Sequence, residues 1–338
     1  MSTIVTIHAH DLLDVCSTLK NLVPSGSLEI PLGIKVVNGE MYFTCTTGVN
    51  YQTILKCDED DVNLTANVLY YDISMLIPSS GLVSLEFLSH GVNIIGDGFL
   101  VEFNNSYSIV EDPEFPDVTY RASNPTLYSE GLKNLLNMGL NKLYSLQTPI
   151  VLLNDIALQM FPNTWVQVRV SSLNLQAILD YDHAKLLLKF SPTQVAMCSE
   201  NNTVLLKNGN GVLQIPYKPV TDATNITALL EDLNTSCKFS IEHYLDKLRN
   251  VSKLNPKSSC KLAVFETGIK TTIKHNSSSV EVATGDITGS CLKVVHLPIQ
   301  LWLTLLRGLG SSYIEILTGG DKLCLRTQAT VIVTRVLH

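Results

Sequence analysis

Residues 239–254 read FSIEHYLDKLRNVSKL, and the spacing of their apolar side chains predicts an amphipathic helix. Ser240 and Glu242 stand at its start, where a capping hydroxyl and a first-turn acid belong. Steps of three and four residues separate the members of the apolar stripe, which are Ile241, Tyr244, Leu245, Leu248 and Val251. Such a helix buries one face against a sheet and leaves the other polar.

The same kind of stretch occurs at two earlier positions. Residues 9–22 (AHDLLDVCSTLKNL) and 129–145 (SEGLKNLLNMGLNKLYS) also carry an apolar stripe at helical spacing. The three starts lie 120 and 110 residues apart. A recurrence at a fixed long period indicates internal structural repeats.

Strand patterns and a shorter helix follow each long helix. Alternating apolar runs predict strands, and the pair Asn38-Gly39 predicts a tight hairpin between residues 30–37 and 40–47. Shorter helices are expected at 71–77, 172–180 and 298–308, and strands are expected after each. The first strand expected after the helix at 172–180 is AKLLLKF (184–190). We therefore predict an α+β fold of three repeats (1–118, 119–221 and 222–338), each a β-sheet with two helices on one face. Unrelated α+β proteins also alternate such elements.

Composition restricts the class of protein. Of 338 residues, 45% are apolar and 16% charged, which favours well-packed cores over disorder. We expect neither a membrane span nor a signal peptide, because no apolar run is long enough and the N-terminus lacks a basic segment. The 8 cysteines stand singly and several fall in apolar strand patterns, so we expect buried free thiols and a reducing, cytoplasmic location.

The net charge of −7 is unevenly distributed along the chain. Residues 1–120 contain 3 Lys+Arg and 16 Asp+Glu, a net −13, whereas residues 121–221 and 222–338 each carry +3. The acidity belongs to the first repeat, so the rest of the chain remains compatible with a nucleic-acid partner.

Catalytic and metal-binding patterns are poor. The acidic run Asp58-Glu59-Asp60-Asp61 lacks the spacing of an EF-hand, and no glycine stretch carries the Lys-Ser/Thr of a phosphate-binding loop. No Ser-His-Asp or Cys-His signature stands out. We therefore expect no enzyme activity, no metal site and no cofactor.

Two segments suggest a family. The stretch SIVEDPEFPDV (108–118) places Glu111 and Asp112 ahead of the pair Phe115-Pro116, and the chain ends in an apolar, basic strand, TVIVTRVLH (330–338). Together with the three repeats, these features resemble the bacterial-type DNA sliding clamp. Two stretches differ from the family: PNTWV (162–166) stands where many such clamps have Asp-Gly-His-Arg-Leu, and IPYKPVTD lacks a second Phe-Pro pair.

The resemblance implies a processivity factor that is not an enzyme. Such a chain would assemble head to tail into a closed ring, here a homodimer, encircle duplex DNA without reading its sequence, and bind a DNA polymerase and a clamp loader. A bacterial cell or a virus-infected host cell would suit it equally. The alternative is a repeat-built, β-rich structural or assembly protein, for example a component of a viral particle.

A sliding ring needs helices whose polar faces touch phosphates weakly. Opposite the apolar stripes stand the residues expected to face DNA: Lys20, Lys133, Asn134, Asn137, Lys142, Lys247, Arg249, Asn250 and Lys253. Taken one at a time, these are better explained as ordinary solvated helix faces, and the interpretation as a DNA-facing surface gains from two such faces at equivalent positions of the repeats.

The resemblance also implies a groove for client peptides between the second and third repeats. Its expected residues are Trp165, Val333, Thr334, Arg335, Val336 and Leu337.

Overall fold

The computed structural model describes residues 3–22, 29–59, 62–221, 230–233, 235–275, 277–309, 311 and 313–336. Its helices are α1 (Ala9–Leu22), α2 (Pro125–Asn137), α3 (Leu140–Tyr144), α4 (Tyr181–Phe190), α5 (Glu242–Ser252) and α6 (Ile299–Gly308). Its strands, in chain order, are β1 (Thr3–His8), β2 (Ile30–Val37), β3 (Glu40–Thr46), β4 (Asn50–Lys56), β5 (Asn63–Tyr70), β6 (Leu82–Leu88), β7 (Gly91–Gly96), β8 (Phe99–Asn104), β9 (Arg121–Ala122), β10 (Ile150–Asn154), β11 (Ile156–Phe161), β12 (Thr164–Arg169), β13 (Leu175–Leu179), β14 (Gln194–Cys198), β15 (Thr203–Asn208), β16 (Gly211–Pro216), β17 (Thr235–Ser240), β18 (Ser259–Phe265), β19 (Ile269–His275), β20 (Ser278–Ala283), β21 (Cys291–Pro298), β22 (Tyr313–Gly319), β23 (Lys322–Arg326) and β24 (Thr330–Arg335).

The chain divides into two compact bodies. The first body comprises Met1–Ser123 and Lys185–Tyr217 and holds a four-stranded sheet, β1-β6-β7-β8, and an eight-stranded sheet, β5-β2-β3-β4-β16-β15-β14-β9. The second comprises Asn124–Ala184 and Lys218–His338, with an eight-stranded sheet, β13-β10-β11-β12-β24-β23-β22-β17, and a four-stranded sheet, β20-β19-β18-β21. The middle repeat predicted from the sequence thus contributes strands to both eight-stranded sheets. The repeat boundaries themselves stay a prediction.

Each eight-stranded sheet is joined at its middle by a pairing between strands distant in sequence. In the first body β4 pairs with β16, with Thr53 opposite Gly211. In the second body β12 pairs with β24, with Thr164 opposite Thr334. Both pairings are antiparallel, and each removes two sheet edges that would otherwise expose unpaired backbone groups.

Several predicted elements are confirmed. Helix α1 spans the predicted residues 9–22 and buries its apolar stripe, while α5 and α6 fall within the other predicted helices. The Asn38-Gly39 hairpin is also present, with φ of 55° and 76° at the two residues, as a type I′ turn requires.

The helix expected at 71–77 is wrong, because this segment forms a turn. Leu76 donates its backbone N–H to the Ile73 carbonyl at 2.8 Å, and the Asp72 carboxylate accepts from the backbone N–H of Ser74 at 3.0 Å. Such local hydrogen bonds compete with the helix, and Pro78 follows too soon for a stable helix to form.

The helix expected at 172–180 is also wrong, since residues 175–179 form strand β13. Leu175, Ala177 and Leu179 are fully buried, at a period of two, and β13 pairs with β10. Positive φ values at Ser172 and Asn174 break any helix before the strand. The helix follows instead as α4, so the strand expected in AKLLLKF is likewise wrong.

The helix expected at 129–145 is two helices. It begins earlier, at Pro125, where the Asn124 side chain accepts from the Thr126 N–H at 3.1 Å as an N-cap. It breaks at Gly139, whose φ of 86° lies in the left-handed region. Gly131 lets α2 lie close to β12, because a Cβ there would come 2.0 Å from the Arg169 carbonyl oxygen.

The expectation of buried free thiols holds for most of the cysteines. None of them forms a disulfide, and the buried ones are Cys16, Cys45, Cys198, Cys237, Cys260 and Cys324, whereas Cys57 is half-buried and Cys291 is exposed. Burial raises the pKa of Cys16, Cys260 and Cys324 from 9.0 to about 12.

These thiols predict a decline of stability in alkali. Above pH 9 the thiols of the unfolded chain ionise, while the folded ones stay protonated to about pH 12. Their contribution is complete below pH 9 and declines as the pH rises, by about 1.4 kcal/mol per pH unit for each thiol. Urea unfolding in reductant at about pH 8 and about pH 10 measures this. Cys260→Ala should show a shallower decline than the wild type, and identical slopes would contradict the assignment.

Candidate nucleic-acid interface and apolar pocket

Helix α5 exposes a set of cations together with the acids Glu242 and Asp246, and it packs through its other side. Its inner residues Tyr244 and Leu248 are buried. The Tyr244 hydroxyl is hydrogen-bonded to Thr271 of β19 and accepts from the Trp302 indole N–H of α6 at 2.8 Å. Burial, the largest influence, raises the pKa of Tyr244, so the phenol stays neutral. The outer face exposes Lys247, Arg249, Asn250 and Lys253.

Helices α2 and α3 present a second such face. Lys133, Asn137 and Lys142 are exposed and Asn134 is half-buried. Because Gly139 separates the two helices, Lys142 belongs to α3 rather than to a continuation of α2.

Helix α1 is different. Lys20 is exposed, but its Nζ lies 2.8 Å from an Asp72 carboxylate oxygen. Partial burial acts to raise the pKa of Asp72, yet the hydrogen bonds from Lys20 and Ser74 hold it below its usual range. The charge of Lys20 is therefore already balanced within the first body.

The remaining cations are free to meet an anion. Within the described parts of the chain, none of them forms an ion pair: Lys133, Lys142, Lys247, Arg249 and Lys253. Unpaired, exposed cations on helices suit weak contacts with phosphate.

An apolar pocket of about 610 Å³ lies in the second body. Five apolar residues line it. They are Leu143 of α3, Leu297 and Pro298 at the end of β21, Leu301 of α6, and Val336, which follows β24. Its polar lining comprises Tyr144, Asn163, Ser259, His296, Asp321 and Arg335. Predominantly apolar walls with a few placed polar groups are typical of a ligand or peptide site.

One wall of the pocket is held by a chain of hydroxyl groups. The Tyr144 hydroxyl is 2.9 Å from the Thr164 hydroxyl, which is 3.0 Å from that of Thr334. Thr164 and Thr334 are fully buried. This chain ties α3 to the β12–β24 pairing, so the position of Tyr144 depends on both strands.

The rim of the pocket carries charge. The Arg335 guanidinium lies 3.8 Å from an Asp321 carboxylate oxygen and 5.7 Å from the centre of the Trp165 ring. Both members of the ion pair are exposed, so it contributes little to stability and remains available to a ligand.

The residues expected in the client groove are partly brought together here. Arg335 and Val336 line the pocket. Trp165 is half-buried: one side of it faces Arg335, and it also packs against Val151 and Leu158. Val333 and Thr334 are buried behind the wall, and Leu337 lies outside the described residues. Sequence reasoning missed the walls supplied by other elements, above all Leu143, which falls within the helix predicted at 129–145 and is exposed.

The Phe-Pro segment has a structural role. Phe115 packs with Val118 and Tyr120 against Ala196, Cys198 and Leu205, on one face of the eight-stranded sheet of the first body. In the second body Val220 and Leu230 pack in the same manner against Val151 and Leu158. Smaller aliphatic residues therefore replace the missing second Phe-Pro pair.

Other candidate sites find no support among the residues described. These hold no group of three or more His, Cys, Asp or Glu side chains placed to bind a metal, and no helix of the length and apolarity needed to cross a membrane. Asp60 and Asp61 of the acidic run lie outside them.

Comparison with solved structures identifies the fold. A Helicobacter pylori beta clamp in complex with 5-chloroisatin aligns with a TM-score of 0.77 at 11% identity, over 99% of this chain and 100% of that one. A Helicobacter pylori beta clamp bound to a DNA ligase peptide gives 0.74 at 11%, over 99% and 100%. The beta subunit of DNA polymerase III from Thermotoga maritima gives 0.75 at 11%, over the whole of both chains.

The chain therefore has the beta-clamp fold over its whole length, and the α+β architecture expected from the resemblance is confirmed. No known family profile matches the sequence, and no curated protein sequence matches it. With identities near 11%, the similarity lies in the fold.

The hydroxyl chain behind the pocket predicts coupled energetics. Thr164→Val or Thr334→Val alone should destabilise the protein by about 0.5–1.5 kcal/mol, because each removes the hydrogen bond between the two buried hydroxyls, while the remaining threonine keeps Tyr144 or the Asn163 carbonyl as a partner. The double variant should cost less than the sum of the two. Urea unfolding of all variants measures this, with Thr46→Val, an exposed strand residue, as the control that should be near neutral. Strictly additive costs would show that the two hydroxyls do not interact.

Proposed function

We propose that this chain is a DNA sliding clamp, a ring-forming processivity factor that encircles duplex DNA and tethers a replicative polymerase. The match of the whole chain to whole beta clamps supports this most strongly. The role requires no bond to be made or broken, so the chain would not act as an enzyme. It would work in the cytoplasm of a bacterial cell or of a virus-infected host cell.

The proposed contact with DNA uses the polar faces of α2, α3 and α5. The lysines and arginine there are exposed and unpaired in the described chain, as phosphate contacts require. Contacts with the backbone carry no sequence information and are weakened by salt, so a ring can stay on the duplex and still move along it.

Ring closure is proposed to join the first repeat of one copy to the third repeat of another, in a head-to-tail homodimer. Three of the four strands in the four-stranded sheet of the first body, β6, β7 and β8, lie within residues 57–120. Residues 57–120 contain no Lys or Arg. The outward side chains of this sheet include Glu86 and Glu102.

The four-stranded sheet of the second body carries the opposite charge. Lys261 and Lys274 are exposed on it, and Lys270 is paired with Glu281 at 2.6 Å. Attraction between unlike sheets favours the head-to-tail contact, whereas two copies of the acidic sheet would repel one another. Strands β8 and β20 are outer strands of the two sheets and would supply the backbone pairing across the contact.

The proposed function predicts retention that depends on DNA topology. After loading, the chain should stay on circular DNA and leave when the circle is cut, since only a closed ring is held by topology. Lys133→Gln with Lys142→Gln, or Lys247→Gln with Arg249→Gln and Lys253→Gln, should shorten retention. Each variant should also lower the log–log salt slope by about 0.9 for every phosphate that is no longer neutralised. Gel filtration of loaded DNA across a salt series measures both.

Lys218→Gln with Lys238→Gln is the matched control, because it removes two exposed lysines that lie outside the helices. A structural or assembly protein would show equal retention on circular and cut DNA. A chain that remains monomeric at high concentration in sedimentation would contradict ring closure.

The apolar pocket is proposed to take a short peptide of a client, such as the polymerase or the clamp loader. It combines apolar walls with a charged rim, as a peptide site requires. One of the matching Helicobacter pylori clamps was solved bound to a DNA ligase peptide. Arg335 and Val336 would contact the peptide, with Trp165 supporting Arg335.

The pocket predicts a separation of client binding from folding. Leu143→Ser should weaken peptide binding about tenfold, because Leu143 is an exposed apolar wall of the pocket. Leu146→Ser changes another exposed leucine, which does not line the pocket, and should leave affinity unchanged. Fluorescence anisotropy with a peptide from the polymerase of the same replication system measures both. Equal affinities for the two variants would place the client elsewhere.

A further inference from the structure

Helix α6 has one narrow polar stripe. Of its residues, Ile299, Leu301, Trp302, Leu303, Leu305 and Leu306 are buried. The polar residues Gln300, Thr304 and Arg307 are spaced by four and three, so they lie along one side of the helix. Arg307 is exposed, and Gln300 and Thr304 are half-buried.

This stripe forms one wall of a second cavity in the second body. The cavity has a volume of about 530 Å³ and is lined on its other side by Asn137 and Lys142, at the end of α2 and in α3. We call it the two-cation cavity, after Lys142 and Arg307. Close packing of the helices defines it: a Cβ on Gly308 would come 2.2 Å from the Met138 side chain.

The charge of the two-cation cavity is not balanced by the protein. None of the residues lining it is acidic, and neither Lys142 nor Arg307 forms an ion pair within the described chain. Two like charges that line one cavity repel each other, and an anion between them would turn that repulsion into attraction. The amides of Asn137 and Gln300 and the hydroxyl of Thr304 add neutral donors at the same place.

We propose that the two-cation cavity is a seat for one phosphodiester group of a nucleic acid strand, held jointly by Lys142 and Arg307. The guanidinium of Arg307 and the ammonium of Lys142 can both donate hydrogen bonds to the oxygens of a tetrahedral anion. The amide and hydroxyl groups of the cavity would donate to its remaining oxygens. The proposal rests on the proposed function for the source of the phosphate. It adds a fixed contact point, contributed by α6, to faces that otherwise offer separate surface lysines.

A shared seat and two separate surface cations predict different salt behaviour. If Lys142 and Arg307 hold the same phosphate, Lys142→Gln and Arg307→Gln should each lower the log–log salt slope of duplex binding by about 0.9, and the double variant should lower it little further. If each cation held a phosphate of its own, the double variant would instead lower the slope by roughly 1.8. Arg307→Lys keeps the charge and should retain most of the slope.

The experiment titrates a short linear duplex, which no ring needs to encircle, against the full chain at several salt concentrations. Lys257→Gln is the control, since this exposed lysine lies outside the cavity. Unfolding midpoints verify that each variant is folded. Additive reductions of the slope, or slopes equal to the wild type in all variants, would overturn the shared seat.

A second arm distinguishes the source of the phosphate. Inorganic phosphate is titrated while the Arg307 side-chain resonance is followed. If free phosphate binds and Lys142→Gln abolishes this, while duplex slopes remain unchanged, the nucleic-acid assignment is overturned. Retention on circular DNA is measured in parallel: its failure in the wild type refutes the proposed clamp function, whereas the duplex titration still reports on the seat.

Discussion

The pairing of β12 with β24 is the interaction on which the second body depends. It joins residues 164–168 to residues 330–334 by backbone hydrogen bonds, and the Thr164 and Thr334 hydroxyls meet across it at 3.0 Å. Because both strands would otherwise be sheet edges, their union closes an eight-stranded sheet. It also sets Arg335 above Trp165 and fixes Tyr144 through its hydroxyl, so the walls of the apolar pocket follow from it. The pairing of β4 with β16 does the same for the sheet of the first body.

On these sheets the helices divide their surfaces between packing and charge. Tyr244 and Leu248 anchor α5, and Gly131 lets α2 lie close against β12, so the cationic faces are held on firm supports. The cations themselves remain unpaired in the described chain, apart from Lys20, which Asp72 neutralises. Free but exposed charge is suited to contacts that form and break, since each is weak and screened by salt. The acidic residues are concentrated instead in the first third of the sequence.

The segments between repeats show how a divergent sequence preserves the fold. Phe115 covers one face of the eight-stranded sheet in the first body, and Val220 with Leu230 covers the corresponding face in the second. Both solutions remove apolar side chains of the sheet from water, and burial depends on area and fit rather than on residue identity. Identities near 11% are therefore compatible with a TM-score of 0.75 over the whole chain.

The sequence by itself determined what depends on local periodicity and composition: the helices predicted at 9–22 and 298–308, the Asn38-Gly39 hairpin, most strands, the α+β class and the exposed cations on the helices. It misled where short segments supported two patterns. Leu175, Ala177 and Leu179 fit a strand only once β10 lies beside them, and Asp72 turns the chain where a helix was expected to begin. Only the tertiary structure decided that Leu143 lines a pocket, and that Arg307 and Lys142 line one cavity. The contacts that build these sites join residues far apart in the sequence. Thr164 and Thr334, whose hydroxyls meet behind the apolar pocket, are separated by 170 positions. No local pattern encodes such a meeting, because it is set by strand pairing and helix packing between distant parts of the chain.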